Sequence, residues 1–281
     1  ASSGNAAGSA VTIAARAGLP AVIFVPEHTP APKLTMALAY GAKVFRVRGN
    51  YSHAFDLARR VSRAMNWANV TTTYVNPYAV EGNKSVAYEL YEQMDGLPDW
   101  ILIPVSAGPL LYGVWKGFEE LRRFGLIDRV PRLAALQPEG CAPLAAAFRL
   151  GEERVREWEN LNTVVSGLSD PLTGYAGDGT LTLRTLRATG GAAYAIADSA
   201  ILAAARALAA QEGIFTEPAG ATAVAGAAEM RRMGVIAPHE RVVCLLTGHG
   251  LKQPVVPEGH EAPLVGELDE VLRHAGDLSV M

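Results

Sequence analysis

Two segments of the chain are predicted strands with apolar residues on both faces, and they constrain the fold more than any other feature. One covers residues 19–26 and the other residues 100–105. Strands of this kind belong to parallel sheets that helices cover on both sides. Between residues 11 and 75, strand-like and helix-like periods alternate, which is the pattern of a doubly wound sheet. We therefore predict an α/β fold.

The spacing of apolar residues and the turns between them predict the other elements. In the first part of the chain these are helices over 11–17, 32–40 and 53–65, and strands over 43–47 and 70–75. In the second part they are helices over 81–94, 110–124, 142–150, 181–188, 200–211, 219–232 and 268–274, and strands over 133–136, 192–196 and 241–246. Asp198 is the predicted N-cap of the helix over 200–211. The Asn76-Pro77 pair is the predicted boundary between a smaller lobe, 1–77, and a larger lobe, 78–281.

Composition and charge exclude several classes of protein. The 281 residues are 49% hydrophobic and 19% charged with a net charge of −3, so the chain is globular and has little attraction for nucleic acid. No apolar run has the length of a membrane span, and we expect a cytoplasmic protein that binds neither nucleic acid nor membrane. Cys244 is expected to be a buried free thiol. The histidines have no partners at metal-binding spacing, so we predict no metal site.

Three loops share one plan, in which a glycine and a hydroxyl or amide side chain come before a helix or a chain reversal. They are Ser2-Ser3-Gly4-Asn5, Ser106-Ala107-Gly108 and Thr247-Gly248-His249-Gly250. Glycine lets the backbone approach an anion closely, and the start of a helix supplies N–H donors. Ligands of open α/β sheets bind beyond the carboxyl ends of the strands, so we expect these loops to converge on one crevice. None of them has the spacing of a dinucleotide-binding motif.

Four segments together resemble the successive signatures of the threonine synthase family, in that family's order and spacing. They read ASSGN at 1–5, EGNKS at 81–85, TEPAGA at 216–221 and LTGHGLK at 246–252, and the resemblance extends to about residue 254. The resemblance implies a pyridoxal 5'-phosphate enzyme of fold type II, similar to the tryptophan synthase β subunit. Such a protein has two αβα lobes with mainly parallel twisted sheets, acts on a small amino-acid substrate and forms a homodimer.

The resemblance also implies roles for single residues around the cofactor ring. Asn5 would donate a hydrogen bond to the phenolic oxygen of the cofactor. Thr247 would face the pyridine nitrogen, where a hydroxyl leaves that nitrogen neutral. Ser2, Ser3 and Gly4 would line the carboxylate of the substrate.

The cofactor phosphate would be held, by the same resemblance, in the loop of Ser106, Ala107 and Gly108. This loop departs from the best-known threonine synthases, which carry Gly and Asn residues there. Pro109 has no N–H and removes one donor, and the Ser106 hydroxyl is a candidate replacement. The departure leaves the substrate open between a phospho-amino acid such as O-phosphohomoserine and a hydroxy-amino acid.

The Schiff-base lysine of the family lies upstream of the Ser-Ser-Gly-Asn loop, in a Phe-Lys-Asp-Arg-like segment. The first lysine of this chain is Lys33, which lies downstream of that loop. The resemblance therefore implies that the catalytic lysine and the strand before the loop are absent, and that the chain is N-terminally incomplete. The other lysines are expected at the surface, and Lys252 is the only one expected near the crevice.

These observations lead to two hypotheses about function. The favoured one is a threonine-synthase-like, pyridoxal-phosphate-dependent lyase, seen as a truncated chain, that performs β-replacement or β-elimination on a hydroxy- or phospho-amino acid. The alternative is a non-catalytic anion or amino-acid binding protein, or a partner subunit, without the Schiff-base lysine. His249, Asp170, Asp178 and Glu217 are expected to hold turns and loops.

Overall fold

The computed structural model describes residues 1, 2 and 4–255. Ser3 and the predicted helix over 268–274 lie outside these residues. Two parallel sheets organise the described part of the chain, one of two strands and one of four. Between residues 4 and 255, no helix is long and apolar enough to cross a membrane.

The smaller sheet pairs β1 (Val22–Pro26) with β2 (Lys43–Val47), with Phe24 opposite Phe45. Three helices cover it: α1 (Asn5–Arg16), α2 (Ala31–Ala39) and α3 (Tyr51–Ala64). The side chains of Ile23 and Val25 pack in one cluster with α1 and α2, whereas Phe24 packs in another with α3. Successive residues of β1 therefore point to opposite covered faces, which is why the sequence of this strand is apolar throughout.

The larger sheet has the strand order β5-β4-β3-β6, and all of its strands run parallel. The strands are β3 (Trp100–Pro104), β4 (Arg132–Pro138), β5 (Ala192–Ile196) and β6 (Val242–Cys244). Ile101 and Ile103 face one hydrophobic cluster, and Leu102 faces the other. Helices cover both faces of this sheet, so its core strands carry no solvent-facing side.

Between residues 77 and 255 the structure has seven α-helices. They are α4 (Pro77–Asn83), α5 (Ser85–Gln93), α6 (Pro109–Arg123), α7 (Pro143–Arg149), α8 (Gly177–Ala188), α9 (Asp198–Glu212) and α10 (Pro218–Arg232). Glu139–Cys141 and Gly250–Lys252 are single turns of 3₁₀ helix. Cys141 is buried, and Cys244 is a free thiol that is only partly buried, contrary to the expectation of full burial.

The strand predicted over residues 70–75 is wrong, because this segment is a loop with turns. Its β-branched residues favoured a strand, but side-chain acceptors take up its backbone donors. The Thr71 N–H donates to the Asn69 side chain at 3.0 Å, and the Tyr74 N–H donates to the Asp178 carboxylate at 3.4 Å. Short polar side chains that satisfy the backbone in this way compete with a strand ladder.

The single helix predicted over 81–94 is also wrong, since α4 and α5 meet at Lys84. The backbone of α6 packs closely against this junction. A Cβ at Gly113 would lie 2.8 Å from the carbonyl oxygen of Val80, and a Cβ at Gly117 would lie 2.7 Å from that of Lys84. Gly113 and Gly117, one turn apart on α6, therefore allow α6 to pack closely against the junction of α4 and α5. The spacing of apolar residues over 81–94 does not show this contact.

Asp198 is not the N-cap of its helix. The helix α9 begins at Asp198 itself with Ala197 as N-cap. The Asp198 carboxylate instead accepts hydrogen bonds from the Thr163 hydroxyl and the Val164 N–H, both at 2.8 Å. The Asp198 side chain therefore makes a tertiary contact with the segment at 163–164 and does not cap its own helix.

Candidate active site

The edge of the larger sheet formed by the carboxyl ends of β3 and β6 carries two of the three predicted loops. These strands are neighbours, with Leu102 opposite Cys244, and the Leu245 N–H continues the pairing to the Leu102 carbonyl at 3.0 Å. The loop of Ser106, Ala107 and Gly108 follows β3, and the turn that begins at Thr247 follows β6. Asn5, at the start of α1, reaches the same edge, since its amide donates to the Thr247 carbonyl at 3.0 Å.

The Asn5 side chain is the centre of a hydrogen-bond network between three distant segments. Its Nδ2 donates to Glu217 Oε1 at 2.7 Å and to the Thr247 carbonyl at 3.0 Å. Its Oδ1 accepts a hydrogen bond from the Lys252 ammonium. The carboxylate and the ammonium require opposite ends of the amide, so the orientation of the amide is determined by its neighbours. Both N–H groups of Asn5 are engaged in this arrangement.

Glu217 is buried, with 3% of its surface exposed, and the turn after β6 holds it in place. The Glu217 N–H donates to the Gly248 carbonyl at 3.0 Å, and the Thr216 hydroxyl donates to the same oxygen at 2.7 Å. A Cβ at Gly248 would lie 1.9 Å from Glu217 Oε1 and 2.6 Å from Asn5 Nδ2. Only glycine therefore fits at this position of the Thr-Gly-His-Gly turn.

An open cleft of 690 Å³ lies beside the network, and its lining includes Asn5, Gly8, Thr12, Met36, Phe215 and Thr247. Lys252 and His249 also line it. The Thr247 hydroxyl has no hydrogen-bond partner among the described residues. His249 uses Nδ1 to accept the Leu251 N–H at 3.2 Å, so this nitrogen stabilises the turn.

Lys33 reaches the same region from α2, and the expectation that it lies at the solvated surface is wrong. Its ammonium donates to the Ser166 hydroxyl at 2.5 Å, and that hydroxyl donates to Gln253 Oε1 at 2.5 Å. Burial lowers the pKa of Lys33 below its ordinary value; the carboxylate of Glu217 opposes this effect and the ammonium of Lys252 adds to it. The position of Lys33 early in α2 gave no sign of this, because its partners lie more than a hundred residues away.

The loop after β3 leaves three consecutive backbone N–H groups without an acceptor among the described residues. The N–H groups of Ser106, Ala107 and Gly108 find no acceptor between residues 4 and 255, although Ala107 and Gly108 are buried. Gly108 has a φ of 110°, and a Cβ there would lie 2.0 Å from Thr182 Oγ1. Consecutive unpaired N–H groups before the 15-residue helix α6 form a concave set of donors where the helix dipole also favours negative charge. Buried N–H groups without partners are costly, so this loop fits a ligand with several anionic oxygens.

The Ser2 hydroxyl acts on its own helix. It accepts the Gly4 N–H at 3.2 Å and the Ala7 N–H at 3.1 Å, and so it caps the first turn of α1. The Ser2 N–H donates to the Phe24 carbonyl of β1 at 3.2 Å, which places the loop beside the smaller sheet. A Cβ at Gly4 would meet nothing within 4 Å, so the space in front of the helix is open.

Asp170 and Asp178 lie apart from the Asn5 network. The Asp170 carboxylate accepts the Tyr175 hydroxyl at 2.5 Å and the Leu172 N–H at 3.1 Å. Burial raises the pKa of Asp170 to about 6, and it also raises the pKa of Asp178. Among residues 1, 2 and 4–255, no group of three or more His, Cys, Asp and Glu side chains could hold a metal ion.

Comparison with known proteins identifies the family. The sequence profile of pyridoxal-phosphate dependent enzymes matches residues 1–248. The chain belongs to this family. Pyridoxal phosphate is the family's cofactor, so the prediction of this cofactor is confirmed, and the loop of unpaired N–H groups after β3 fits its phosphate.

The relatives also confirm the resemblance to threonine synthase. The threonine synthase of Methanocaldococcus jannaschii is 34% identical over 272 residues, which are 96% of this chain and 66% of the relative. That of Methanosarcina acetivorans is 35% identical over 279 residues, 98% of this chain and 68% of the relative. The chain thus spans about two thirds of the length of these relatives.

Solved structures share the fold and confirm the predicted fold class. Maize serine racemase superimposes with a TM-score of 0.74 at 22% identity, covering 100% of this chain and 77% of the racemase. The processed form of threonine deaminase isoform 2 from Solanum lycopersicum gives a TM-score of 0.71 at 22% identity, covering 88% of this chain and 68% of that one.

Proposed function

We propose that this chain belongs to a threonine-synthase-like lyase that performs β-replacement or β-elimination on a hydroxy- or phospho-amino acid such as O-phosphohomoserine. The observation that carries the proposal is the set of unpaired N–H groups at Ser106, Ala107 and Gly108 before α6, of which Ala107 and Gly108 are buried. The similarity to threonine synthases over nearly the whole chain supports it. We also propose that residues 1–77 and 78–281 form two lobes with the cleft between them.

The residues around the cleft would hold the cofactor at three points. The loop of Ser106, Ala107 and Gly108 would bind the phosphate, and the Thr247 hydroxyl would face the ring nitrogen. Asn5 would donate to the phenolic oxygen, and for this it must release one present acceptor. The acceptor released would be the Thr247 carbonyl, which is neutral and lies farther away, at 3.0 Å. The charged Glu217 carboxylate, at 2.7 Å, would keep its hydrogen bond. When bound, pyridoxal phosphate supplies a sink for the electrons of a broken bond at the substrate α-carbon.

The start of α1 would bind the substrate carboxylate. Ser2, Ser3 and Gly4 precede this helix, and the open space in front of Gly4 admits a ligand. The N-terminal end of a helix favours an anion through its free N–H groups and its dipole. The hydroxyl of Ser2 already accepts two N–H groups, so its own proton is the donor it can offer to a carboxylate.

Cofactor binding tests the proposal directly. The variant Gly108→Ala places a methyl group against Thr182 and forces the donors of the loop apart, so we expect at least about tenfold weaker binding of pyridoxal phosphate in equilibrium dialysis. Gly125→Ala is the matched control, because Gly125 also has a positive φ, 71°, and a Cβ there meets nothing within 4 Å. Ser106→Asp, which sets a negative charge in the loop, is a second variant that does not depend on the methyl clash. Wild-type affinity in both Gly108→Ala and Ser106→Asp would contradict the proposal.

Product analysis of the protein that contains this chain together with the family's Schiff-base lysine tests the reaction. With O-phosphohomoserine as substrate, loss of phosphate from the γ-carbon followed by addition of water at the β-carbon gives inorganic phosphate and threonine. Loss of phosphate followed by hydrolysis of the resulting enamine gives phosphate, a 2-oxo acid and ammonia. Either pair of products supports a lyase of this class. A protein that binds pyridoxal phosphate but releases no phosphate from this compound, and no ammonia from homoserine or serine, is the result expected of a non-catalytic binder.

A further inference from the structure

Two buried side chains hold the loop after β3 by donating hydrogen bonds to its carbonyl groups. The Thr182 hydroxyl donates to the Ala107 carbonyl at 2.6 Å, and the Gln137 amide donates to the Ser106 carbonyl at 3.4 Å. Thr182 has 0% of its surface exposed and Gln137 has 1%. The C=O and N–H of a trans peptide group point in opposite directions. These two bonds therefore direct the N–H groups of Ala107 and Gly108 toward the other side of the loop.

The orientation of the Gln137 amide is fixed by the start of α7. Its Oε1 accepts the Leu144 N–H at 2.9 Å and the Ala145 N–H at 3.1 Å. The Nε2 group is therefore the end of the amide that faces the Ser106 carbonyl. The donor to this carbonyl is positioned by a helix outside the loop.

The hydroxyl groups of Tyr74 and Thr182 form a chain of hydrogen bonds with one direction. Thr182 Oγ1 lies 2.6 Å from the Ala107 carbonyl, 3.1 Å from the Asp178 carbonyl and 3.0 Å from the Tyr74 hydroxyl. Carbonyl oxygens only accept, so the single proton of Thr182 lies on the shortest of these contacts, toward Ala107. Tyr74 must then donate to Thr182, and burial raises the pKa of Tyr74, which keeps this proton in place.

This chain ends at a peptide group that carries one of the unpaired donors. The Ala107 carbonyl and the Gly108 N–H belong to the same peptide group. Successive hydrogen bonds polarise one another, so donation to the carbonyl makes the N–H a stronger donor. Thr182 lies directly against this group, because a Cβ at Gly108 would be only 2.0 Å from Thr182 Oγ1.

The Tyr74 side chain is held beside the loop by α6 and α8. Its ring packs edge-on against Tyr112 of α6, with 5.6 Å between the ring centroids, and Tyr112 in turn packs against Trp115 at 5.2 Å. The Tyr74 N–H donates to the Asp178 carboxylate of α8 at 3.4 Å. The position of the Tyr74 hydroxyl is therefore set by contacts with two helices.

We propose that Thr182 and Tyr74 are positioning residues for the cofactor phosphate, because they hold the peptide group between Ala107 and Gly108 with its N–H toward that phosphate. The inference rests on the proposed function and deepens it, since it adds two residues outside the loop that act on the phosphate through the loop. Their removal should affect ligands that carry the phosphate and should not affect the same ligands without it.

The affinities of the protein for pyridoxine 5'-phosphate and for pyridoxine, measured by equilibrium dialysis, test this proposal. Both ligands have the cofactor ring but no aldehyde, so neither forms a Schiff base with a lysine, and they differ only in the phosphate. Thr182→Val removes the hydroxyl and keeps the shape of the side chain. We expect it to bind pyridoxine 5'-phosphate about tenfold more weakly and pyridoxine as before. Thr182→Ser keeps the hydroxyl and should restore most of the lost affinity.

Thr185→Val is the matched control for Thr182→Val. Thr185 is also buried on α8, and its hydroxyl donates to the Leu181 carbonyl of the same helix at 3.1 Å. It does not contact the loop among the described hydrogen bonds, so both affinities should stay unchanged.

Tyr74→Phe is a second variant that decides the question if Thr182→Val does not fold. It removes only a hydroxyl from a partly buried ring, and we expect about threefold weaker binding of pyridoxine 5'-phosphate with no change for pyridoxine. Tyr112→Phe is its control, because the Tyr112 hydroxyl has no hydrogen-bond partner among residues 1, 2 and 4–255.

The outcomes distinguish failure of the inference from failure of the proposed function. If the wild type binds both ligands equally, the loop does not bind the phosphate, and the proposed cofactor site and the inference fail together. If the wild type prefers pyridoxine 5'-phosphate and both Thr182→Val and Tyr74→Phe keep that preference, the inference alone is wrong. An equal loss of affinity for both ligands would also overturn it, since that is the effect of a general disturbance of the site.

Discussion

Asp170 is a buried carboxyl group whose ionisation should control the pH dependence of stability. Only 5% of its surface is exposed, and burial raises its pKa from 3.8 to about 6, against the hydrogen bonds from Tyr175 and Leu172. Between these two values the folded protein holds a proton that the unfolded chain has released, so stability falls as the pH rises through this window. Below the lower value and above the higher one, this group adds no further pH dependence. The difference in pKa corresponds to about 3 kcal/mol, since each pKa unit is worth about 1.4 kcal/mol.

The variant Asp170→Asn should remove this loss. The side-chain oxygen of Asn can still accept the Tyr175 hydroxyl and the Leu172 N–H, so the local contacts are kept. We expect the stability of the variant relative to wild type to rise by up to about 3 kcal/mol between about pH 4 and about pH 7. Urea unfolding of both proteins across this range measures the difference, in which contributions from all other groups cancel.

Asp128→Asn, at an exposed position, is the control and should show a difference that does not change with pH. A flat difference for Asp170→Asn would refute the reasoning. So would a variant that becomes less stable than wild type as the pH rises, because the ionised carboxylate would then be stabilised by its hydrogen bonds more than burial destabilises it.

Two further predictions concern the network and the core. Glu217→Ala removes the carboxylate acceptor of Asn5 and a negative charge that acts on Lys33. It should lower the free energy of unfolding, measured by urea unfolding, by about 1–3 kcal/mol, and Glu217→Gln should lower it by less. An unchanged unfolding midpoint in Glu217→Ala would show that the network adds no stability. Gly226→Ala in α10 would place a Cβ 2.2 Å from Leu136 Cδ1, and this overpacking should cost about 1–3 kcal/mol, less the roughly 1 kcal/mol by which Ala favours a helix. Gly177→Ala in α8 is the control, because a Cβ there meets nothing within 4 Å. If both variants change the midpoint of thermal unfolding equally, the packing argument is wrong.

The network of Asn5, Glu217 and Lys252 has a consequence for cofactor binding. Since both N–H groups of Asn5 have acceptors, a ligand that accepts from Asn5 must displace one of them. The Glu217 carboxylate and the Lys252 ammonium hold opposite ends of the amide, so exchange of the Thr247 carbonyl for a ligand oxygen does not require the amide to rotate. The resting structure therefore keeps Asn5 in the orientation that donation to a ligand needs.

The sequence by itself determined the α/β fold and most of its elements. The apolar pattern of each strand from β1 to β6 depends on which of its two faces helices cover. This pattern can be read from the few residues of the strand itself, without knowledge of distant segments. The loops of Ser2 to Asn5, Ser106 to Gly108, and Thr247 to Gly250 were likewise predictable, because turns beside a ligand require glycine and short polar side chains at fixed positions. The segment over 70–75 failed because side-chain acceptors replaced a strand partner there.

Only the tertiary structure decided which distant residues meet. Asn5 and Glu217 are 212 positions apart, Asn5 and Lys252 are 247 apart, and Lys33 and Ser166 are 133 apart. A local pattern describes the period and burial of one segment and carries no information about which distant segment will lie against it. The predicted surface position of Lys33 was wrong for this reason. Whether an ammonium group is solvated depends on the segments that pack against it, and for Lys33 that segment is the loop of Ser166, which lies between helices α7 and α8 of the second part of the chain.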